Sequence, residues 1–250
     1  MKHGNKQANR VALITGAARR IGASIAFHLH QAGFNVIIHC HHSRQDAEKI
    51  ALELNALRPH SALVIAADLT IKSEAIGLIT QTLAWSQQLD LLVNNASLFY
   101  STPQDTINDQ QWESLFTVNV KAPFWLSTTA RPFLAAKLGS IVNITDIHAD
   151  KPLKGYSVYC QSKAALAMQT LALAREFAPE VRVNAVAPGA IIWPEAANAL
   201  NHDQQQKIIA KTPLKQHGDP IYIAQAVLAL AENPFITGQT LRVDGGRSIL

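Results

Sequence analysis

The chain has 250 residues, of which 48% are hydrophobic and 16% are charged, and its formal net charge at neutral pH is +4. This composition excludes a disordered chain and is typical of a compact domain that buries a full core. The 22 lysines and arginines are scattered without a basic run, which excludes the clustered positive charge of a nucleic-acid-binding surface.

The sequence also carries no signal for a membrane or an oxidising compartment. Residues 1–10 are polar and lack the apolar core of a signal peptide, and no apolar run reaches the length of a membrane span. Cys40 and Cys160 are far apart and form neither a CxxC pair nor a metal-spaced set. We therefore expect a cytoplasmic protein with no disulfide, no metal site and no membrane partner.

Short apolar runs alternate with segments of helical spacing along the whole chain. The strand pattern occurs at residues 11–14, 35–39, 63–67, 89–93, 140–144, 181–186 and 240–243. The helical pattern begins at residue 21 and recurs at 46–57, 71–85, 109–134, 156–177, 203–211 and 221–231. Since there is no internal repeat and no linker, this alternation predicts one α/β domain over residues 1–250. We expect a Rossmann-like, doubly wound parallel sheet of seven strands flanked by helices.

A glycine-containing turn joins the first predicted strand to the first predicted helix. Its sequence is Thr-Gly-Ala-Ala-Arg-Arg-Ile-Gly at 15–22, so alanine stands at 18, the middle position of the usual G-x-G-x-x-G pattern. The first N–H groups of such a helix point outward and can hold a dinucleotide phosphate. An ordinary tight turn shares this pattern, so the motif is informative only in combination with the residues that follow the other strands.

The residues after the second predicted strand favour NADP(H) over NAD(H). An NAD site usually carries a carboxylate about 20 residues past the glycine turn, where it binds the ribose 2′-hydroxyl. Here that place is occupied by His39, His41, His42, Ser43 and Arg44. The first carboxylate is Asp46, and Arg20 in the glycine turn can reach the same 2′-phosphate. Any single histidine of the set can equally be solvated and inert.

Tyr159 and Lys163 stand four residues apart in a predicted helix and so share one face. A lysine ammonium beside a phenol is expected to lower the pKa of the tyrosine toward neutral, which makes it an acid or base. An ordinary surface pair has the same spacing. The position favours chemistry, because the pair follows the predicted strand that ends near Asp146.

Five motifs keep a common order along the chain. They are Thr-Gly-x-x-x-Arg-x-Gly at 15–22, Asn-Asn-Ala-Ser at 94–97, Tyr-x-x-x-Lys at 159–163, Pro-Gly at 188–189 and Val-Asp-Gly-Gly at 243–246. This combination resembles the short-chain dehydrogenase/reductase family over nearly the whole chain. Most members place a serine after the fifth strand, whereas this chain has Asp146. With His-x-His-x-Ser at 39–43 and Asn-Ala-Ser-Leu-Phe-Tyr at 95–100, the aspartate makes the chain resemble the pteridine reductase branch.

That resemblance implies an NADPH-dependent enzyme that reduces dihydropterins and dihydrofolate-type rings to the tetrahydro form. The implied catalytic residues are Asp146, Tyr159, Lys163 and Asn119. The implied cofactor-binding residues are Gly16, Arg20, Ile21, His39, His42, Ser43, Asp68, Leu69, Asn95, Ala96, Ser97, Tyr159, Lys163, Pro188 and Gly189. The implied pterin-binding residues are Ser97, Phe99, Asp146 and Tyr159.

The resemblance also gives several of these residues particular roles. Phe99 is expected to stack on one face of the pterin, and Ser97 to bind both the pterin and a cofactor phosphate. Asp68 is expected to contact the adenine, and Asn119 to support Lys163 through a water molecule. A substrate lid is expected over residues 191–212, which include Trp193, with its contacts left open.

Two other functions remain open from the sequence. One is a carbonyl reductase of the same fold, such as a 3-oxoacyl-[acyl-carrier-protein] reductase, and the other is a non-catalytic NADP(H)-binding module. The resemblance further implies a homotetramer built through the helices that carry Asn119 and Tyr159. His28 and His30 are predicted to be surface residues. Trp85, Trp112 and Trp125 are predicted to pack between helices and sheet.

Overall fold

Seven parallel strands form one sheet in the computed structural model, which describes residues 10–194 and 199–249. The strands are β1 Val11–Ile14, β2 Asn35–Cys40, β3 Ala62–Ala66, β4 Leu91–Asn94, β5 Ser140–Ile144, β6 Arg182–Pro188 and β7 Thr240–Val243. Their order across the sheet is β3-β2-β1-β4-β5-β6-β7. The predicted single-domain fold of seven strands flanked by helices is therefore confirmed. The expectations for the N-terminal segment 1–9 and for lid residues 195–198 lie outside the described residues.

Eight α-helices connect and flank the strands within the described ranges. They are α1 Arg20–Gln31, α2 Arg44–Leu57, α3 Lys72–Ser86, α4 Asp109–Phe116, α5 Ala122–Ala135, α6 Ser157–Phe177, α7 His202–Lys211 and α8 Pro220–Glu232. None of these helices combines the length and the apolar character that a membrane crossing requires.

Helices cover both faces of the sheet, which is why the strands read as continuous apolar runs. Successive side chains of a strand point to opposite faces, so Ile14 packs on one side and Leu13 on the other. The first side packs against α1, α2 and α8, for example through Ile25 and Val227. The second side packs against α3, α5 and α6, with Leu126 among the contacts. The sheet is thus buried between two layers, and its strand ends remain for binding.

The predicted continuous helix over 109–134 is wrong at one point. A π-helical turn at Thr117–Lys121 separates α4 from α5, and the N–H of Ala122 donates to the carbonyl of Thr117, five residues back. Pro123 has no N–H, so it cannot donate to the carbonyl of Asn119 as an α-helix would require. The turn places the Asn119 side chain, which is fully buried, at the centre of the site described below.

Two surface and packing predictions are also wrong. His30 is buried, and its Nε2 lies 2.7 Å from Oγ of Ser61, the residue before β3. Trp112 is 38% exposed and stacks on Phe116 rather than on the sheet. Trp85 and Trp125, by contrast, pack against the second face as predicted.

Candidate active site

A crevice lies where the order of the sheet reverses, between β1 and β4. The connections from the two strands at such a point proceed to opposite sides along the sheet, which leaves an opening beyond the carboxyl ends of these strands. The cavity has a volume of about 610 Å³. Ten of the predicted cofactor residues line it, namely Gly16, Arg20, Ile21, His39, His42, Asp68, Leu69, Asn95, Ala96 and Ser97. The structure thus brings together residues from four separate loops.

Glycine is required at both ends of the turn after β1. Gly16 has a φ of +61°, and a Cβ there would lie 3.0 Å from Cα of Ala96. A Cβ on Gly22 would lie 2.3 Å from the carbonyl oxygen of Gly16. The turn therefore packs directly against the loop after β4. A larger side chain at Gly16 or Gly22 would push the turn and this loop apart.

Side-chain hydrogen bonds lock these two loops together. Oγ1 of Thr15 accepts from the N–H groups of Asn95 and Ala96 at 2.9 and 3.0 Å. The amide of Asn95 donates back to the carbonyls of Thr15 and Gly16 at 2.9 and 3.0 Å. The first turn of α1 contains no acidic residue, so its outward N–H groups face the cavity without a carboxylate nearby in that turn.

His39, one of the predicted cofactor-binding residues, lies at the cavity wall and hydrogen-bonds to the glycine turn. Its Nδ1 accepts from the N–H of Gly16 at 3.0 Å, which places the ring proton on Nε2, 3.1 Å from the carbonyl of Ala67. Burial lowers the pKa of His39 to about 4. The ring is therefore neutral at physiological pH, and it holds the glycine turn in place.

Arg20 lines the same cavity and also contacts the start of the expected lid. Its φ is +56°, and its guanidinium donates to the backbone carbonyl of Trp193 at 3.2 Å. The ring of Trp193 stacks on His217 with centroids 4.3 Å apart. Arg20 thus connects the start of α1 to the first residues of the expected lid.

Arg19 is a cavity residue that the sequence reasoning missed. It lines the crevice, and its Nε donates to Oδ2 of Asp46 in the first turn of α2 at 2.5 Å. The ring centroids of His41 and His42 lie 3.5 Å apart with the rings tilted by 32°, and Nε2 of His41 lies 3.7 Å from Oδ2 of Asp68. The sequence did contain a signal for a contact between Arg19 and Asp46, the first carboxylate after β2. Both residues follow strands that are neighbours in the sheet, so they were expected to lie close together.

Asp146 and Tyr159 form a direct pair at the end of β5. The hydroxyl of Tyr159 donates to Oδ2 of Asp146 at 2.7 Å, and Oδ1 accepts from the backbone N–H of His148 at 2.8 Å. The second bond caps a short 3-10 turn at Ile147–Ala149 and fixes the carboxylate. Tyr159 is only 4% exposed, so this hydrogen bond lies in a low-dielectric environment.

The predicted effect of Lys163 on Tyr159 is wrong in this structure. Burial, and after it the charge and hydrogen bond of Asp146, raise the pKa of Tyr159 well above 10. Nζ of Lys163 donates to the carbonyl of Ile144 at 2.9 Å and lies 5.8 Å from the centre of the Tyr159 ring. Burial lowers the pKa of Lys163 to about 8. Tyr159 is therefore a protonated phenol, and it is the proton-bearing member of its pair with Asp146.

Asn119 organises the loop after β4 from inside the protein. Its Oδ1 accepts from Oγ of Ser97 at 3.1 Å and from the N–H of Leu98 at 2.9 Å. Its Nδ2 donates to the carbonyl of Leu98 at 3.1 Å and to Oγ of Ser162 on α6 at 2.9 Å. Asn119 thus ties the loop that carries Ser97 to the helix that carries Tyr159. Its expected link to Lys163 stays a prediction.

Phe99 follows in the same loop and lies against the start of α6, the helix that carries Tyr159. Its ring stacks on Tyr156 with centroids 4.7 Å apart and meets the edge of Tyr159 at 4.8 Å. One face of Phe99 is therefore used within the protein. A pterin ring stacked on Phe99 would have to use the opposite face.

The remaining predicted cofactor residues do not line the cavity. They are Ser43, Tyr159, Lys163, Pro188 and Gly189. Ser43 precedes α2 as its N-cap, and Pro188 is the last residue of β6. The N–H of Gly189 donates to the carbonyl of Val243 at 3.0 Å, and a Cβ there would lie 2.6 Å from Cβ of Asp244. Gly189 thus allows close contact between the ends of β6 and β7.

Comparison with known proteins shows similarity along nearly the whole chain. Residues 16–248 match the family model described as Enoyl-(Acyl carrier protein) reductase. The 3-oxoacyl-[acyl-carrier-protein] reductase FabG of Rickettsia prowazekii (strain Madrid E) is 37% identical over 241 residues, which cover 95% of this chain and 96% of the relative. FabG of Staphylococcus epidermidis (strain ATCC 12228 / FDA PCI 1200) is 34% identical over 242 residues, with 95% and 98% covered. Pteridine reductase 1 of Leishmania tarentolae is 34% identical over 281 residues, with 96% of each chain covered.

Proposed function

The chain belongs to the short-chain dehydrogenase/reductase family and is an oxidoreductase, and from that premise we propose that it is an NADPH-dependent pteridine reductase. Its substrates in this proposal are dihydropterins and dihydrofolate-type rings, which it reduces to the tetrahydro form. Membership of the pteridine reductase branch is part of the proposal.

The observation that carries the proposal is the contact between Asp146 and Tyr159. A carboxylate 2.7 Å from the tyrosine hydroxyl repels the oxyanion that develops when a simple ketone is reduced. The same carboxylate can accept hydrogen bonds from the ring N–H and amino groups of a pterin. The pair therefore suits a nitrogen heterocycle better than a ketone.

In this proposal the residues of the chain position the substrate and supply a proton. The chemistry that NADPH supplies when bound is the transfer of a hydride to a ring carbon. Tyr159 is the buried phenol that holds a proton beside the ring, and Asp146 fixes the direction of its O–H bond. Asn119 keeps the loop of Ser97 and Phe99 at the wall of the site.

The crevice fits a nicotinamide dinucleotide in its shape and in its donors. The left-handed Gly16, the lack of space at Gly22 and the open N–H groups of α1 form a surface on which a phosphate can approach the backbone. The crevice is also lined by Arg19, His41 and His42. We assign the preference for NADPH to Arg19 and these histidines, because His39 is neutral and Arg20 contacts Trp193.

The experiment is a reductase assay that follows the loss of reduced-nicotinamide absorbance. Purified protein receives NADPH or NADH with dihydrobiopterin, dihydrofolate or a 3-oxoacyl thioester. Asp146→Ser is expected to abolish most pterin turnover and to increase thioester turnover. Improved pterin turnover in this variant would contradict the proposal.

A second candidate is a 3-oxoacyl-[acyl-carrier-protein] reductase. The observation in its favour is the similarity to the two FabG proteins, at 37% and 34% identity. It predicts turnover of the thioester by the unmodified chain and little turnover of either pteridine. The same assay therefore separates the two candidates.

A non-catalytic NADP(H)-binding module is the remaining alternative. Tyr159 and Lys163 are both buried and hydrogen-bonded, and a module without a reaction has no need of that arrangement. Tyr159→Phe is expected to lower turnover about 100-fold or more, in the range of lost acid catalysis. Unchanged function in this variant would favour the binding module.

We also propose a homotetramer in which copies of the chain pack through α5 and α6. These helices carry large apolar side chains at the surface, and such groups in contiguous patches mark interfaces. On α5 they are Phe124 and Phe133, and on α6 they are Met168 and Leu171. Light scattering after size-exclusion chromatography tests this, and Phe124→Glu combined with Met168→Glu is expected to give smaller species. A monomeric unmodified protein would contradict the proposal.

A further inference from the structure

A short turn follows β5, and a side chain caps it at each end. At its start the N–H of His148 donates to Oδ1 of Asp146 at 2.8 Å, and the N–H of Ala149 donates to the backbone carbonyl of Asp146 at 3.0 Å. At its end Nδ1 of the His148 ring lies 2.7 Å from the backbone carbonyl of Lys151. His148 therefore takes part in both caps, with its backbone at one end and its ring at the other.

The carbonyl of Lys151 decides which ring nitrogen of His148 carries the proton. A carbonyl oxygen only accepts hydrogen bonds, so Nδ1 is the donor. The next residue is Pro152, which has no N–H and disfavours a helical backbone at the residue before it. A helix is therefore disfavoured past Lys151, and the ring of His148 supplies a donor to the last carbonyl of the turn, as basic side chains do at helix ends.

Both ends of this segment are joined to the same place on α6. Oδ2 of Asp146 accepts from the hydroxyl of Tyr159 at 2.7 Å. The N–H of Leu153 donates to Sγ of Cys160 at 3.3 Å. Since Tyr159 and Cys160 are adjacent in α6, residues 146–153 form a closed loop against the proton-bearing tyrosine.

The two oxygens of the Asp146 carboxylate have separate partners in this loop. The terminal torsion of an aspartate side chain is broad, so a carboxylate held by one oxygen alone can rotate. The N–H of His148 holds Oδ1, and the oxygen directed at Tyr159 is then Oδ2. The direction of the carboxylate thus depends on where the turn holds the N–H of His148.

We propose that His148 is a positioning residue that acts through Asp146. Its ring closes the turn on the carbonyl of Lys151, which keeps its own N–H on Oδ1 of Asp146 and leaves Oδ2 for the Tyr159 hydroxyl. The proposal rests on the proposed function in one respect, namely that Asp146 takes part in the reaction.

The test compares two variants of His148 that differ in a hydrogen-bond donor. His148→Asn keeps a donor, because Nδ2 of asparagine stands as many bonds from the backbone as Nδ1 of histidine. His148→Leu has a side chain of nearly the same size without any donor. Initial rates give kcat and KM for each variant, on whichever substrate the unmodified enzyme turns over.

The two variants are expected to separate in kcat. His148→Leu should lower kcat by about 5- to 10-fold, the factor that corresponds to one lost neutral hydrogen bond. Its KM for NADPH should stay within about 2-fold, because the loops at the crevice are joined through Thr15 and Asn95 and not through this turn. His148→Asn should keep most of kcat. Equal losses in the two variants, or no loss in His148→Leu, would overturn the proposal.

Arg242→Gln is the matched control. It removes the 2.6 Å ion pair between Arg242 and Asp150, which also holds this turn, and leaves both caps in place. Both partners are largely exposed, so kcat is expected to stay within about 2-fold of the unmodified enzyme. A loss in Arg242→Gln as large as in His148→Leu would overturn the proposal, because any loosening of the turn would then suffice.

A second measurement needs no turnover. Hydrogen exchange followed by NMR gives the protection factor of the backbone amide at position 148, which reports how firmly this N–H is held. The factor is expected to fall at least about 10-fold in His148→Leu and to change little in His148→Asn. The amide of Thr145, which donates to the carbonyl of Val186 at 2.8 Å, serves as the internal reference and is expected to keep its protection in both variants.

The exchange data also separate this proposal from the proposed function. Unchanged protection at position 148 in His148→Leu would overturn the role of the ring. An equal loss at Thr145 would overturn it as well, because the substitution would then destabilise the protein in general. Absence of pterin turnover together with the expected exchange pattern would contradict the proposed function alone.

Discussion

His39 links the stability of the protein to pH through the glycine turn. Burial of the ring lowers its pKa from 6.5 to about 4, and the neutral Nδ1 accepts from the N–H of Gly16. A histidine with a depressed pKa stabilises the fold above its unfolded pKa, and that contribution is lost as the pH falls toward the folded pKa. Protonation near pH 4 also replaces an acceptor with a donor opposite the N–H of Gly16.

The size of the effect follows from the two pKa values. The difference between 6.5 and about 4 corresponds to roughly 3 kcal/mol at about 1.36 kcal/mol per unit. The contribution of His39 to the free energy of unfolding is therefore expected to fall by about 3 kcal/mol between pH 7 and pH 4. Since the ring is almost fully buried, solvent screening removes little of this value.

Urea denaturation between pH 4 and pH 7 measures this contribution. Carboxylates also lose stability in acid, so the quantity of interest is the difference between the unmodified protein and His39→Gln, which has a neutral acceptor and donor at every pH. His202→Gln, at an exposed position, is the control. An equal acid-induced loss in the unmodified protein and in His39→Gln would refute the reasoning.

Three further outcomes are expected. Asn119→Ala should lower the free energy of unfolding by about 2–4 kcal/mol, because it leaves buried N–H and C=O groups of the loop after β4 unpaired. Gln110→Ala, at an exposed position, should change it by less than about 0.5 kcal/mol, and urea denaturation compares the two. Arg19→Ala should raise KM for NADPH about 10-fold and leave KM for NADH nearly unchanged, whereas Arg20→Ala should not discriminate between the cofactors, as initial rates with each will show. Asp146→Asn should lower the pKa of Tyr159, because the carboxylate charge that raises it is gone; ultraviolet difference spectra at alkaline pH follow the phenolate, and an unchanged titration would contradict the assigned cause.

The sheet was predictable from the sequence because its chemistry is local. The inner strands are apolar runs buried between helices, whereas β7 at the edge is largely exposed, and β1, β5 and β7 have the predicted bounds. The residues after the strands were also predictable as cavity residues, since parallel strands end at one edge of a sheet.

The failures arise where contacts between distant residues decide the outcome. The neutral state of His39 depends on Gly16 and Ala67, which lie 23 and 28 residues away. The guanidinium of Arg20 contacts Trp193, 173 residues away, and the pKa of Tyr159 depends on its burial and on Asp146, 13 residues earlier. The π-helical turn at Thr117–Lys121 leaves the apolar periodicity of the segment unchanged, so the periodicity did not predict it.

The central claim is that the pair of Asp146 and Tyr159 adapts this short-chain reductase to pterin rings. The most direct test is the rate of NADPH oxidation by the unmodified protein with dihydrobiopterin, measured beside the rate with a 3-oxoacyl thioester. We expect kcat/KM for the pterin to exceed that for the thioester by at least about 100-fold, the factor of roughly 3 kcal/mol that a mismatched buried carboxylate costs. Turnover of the thioester alone would contradict the claim.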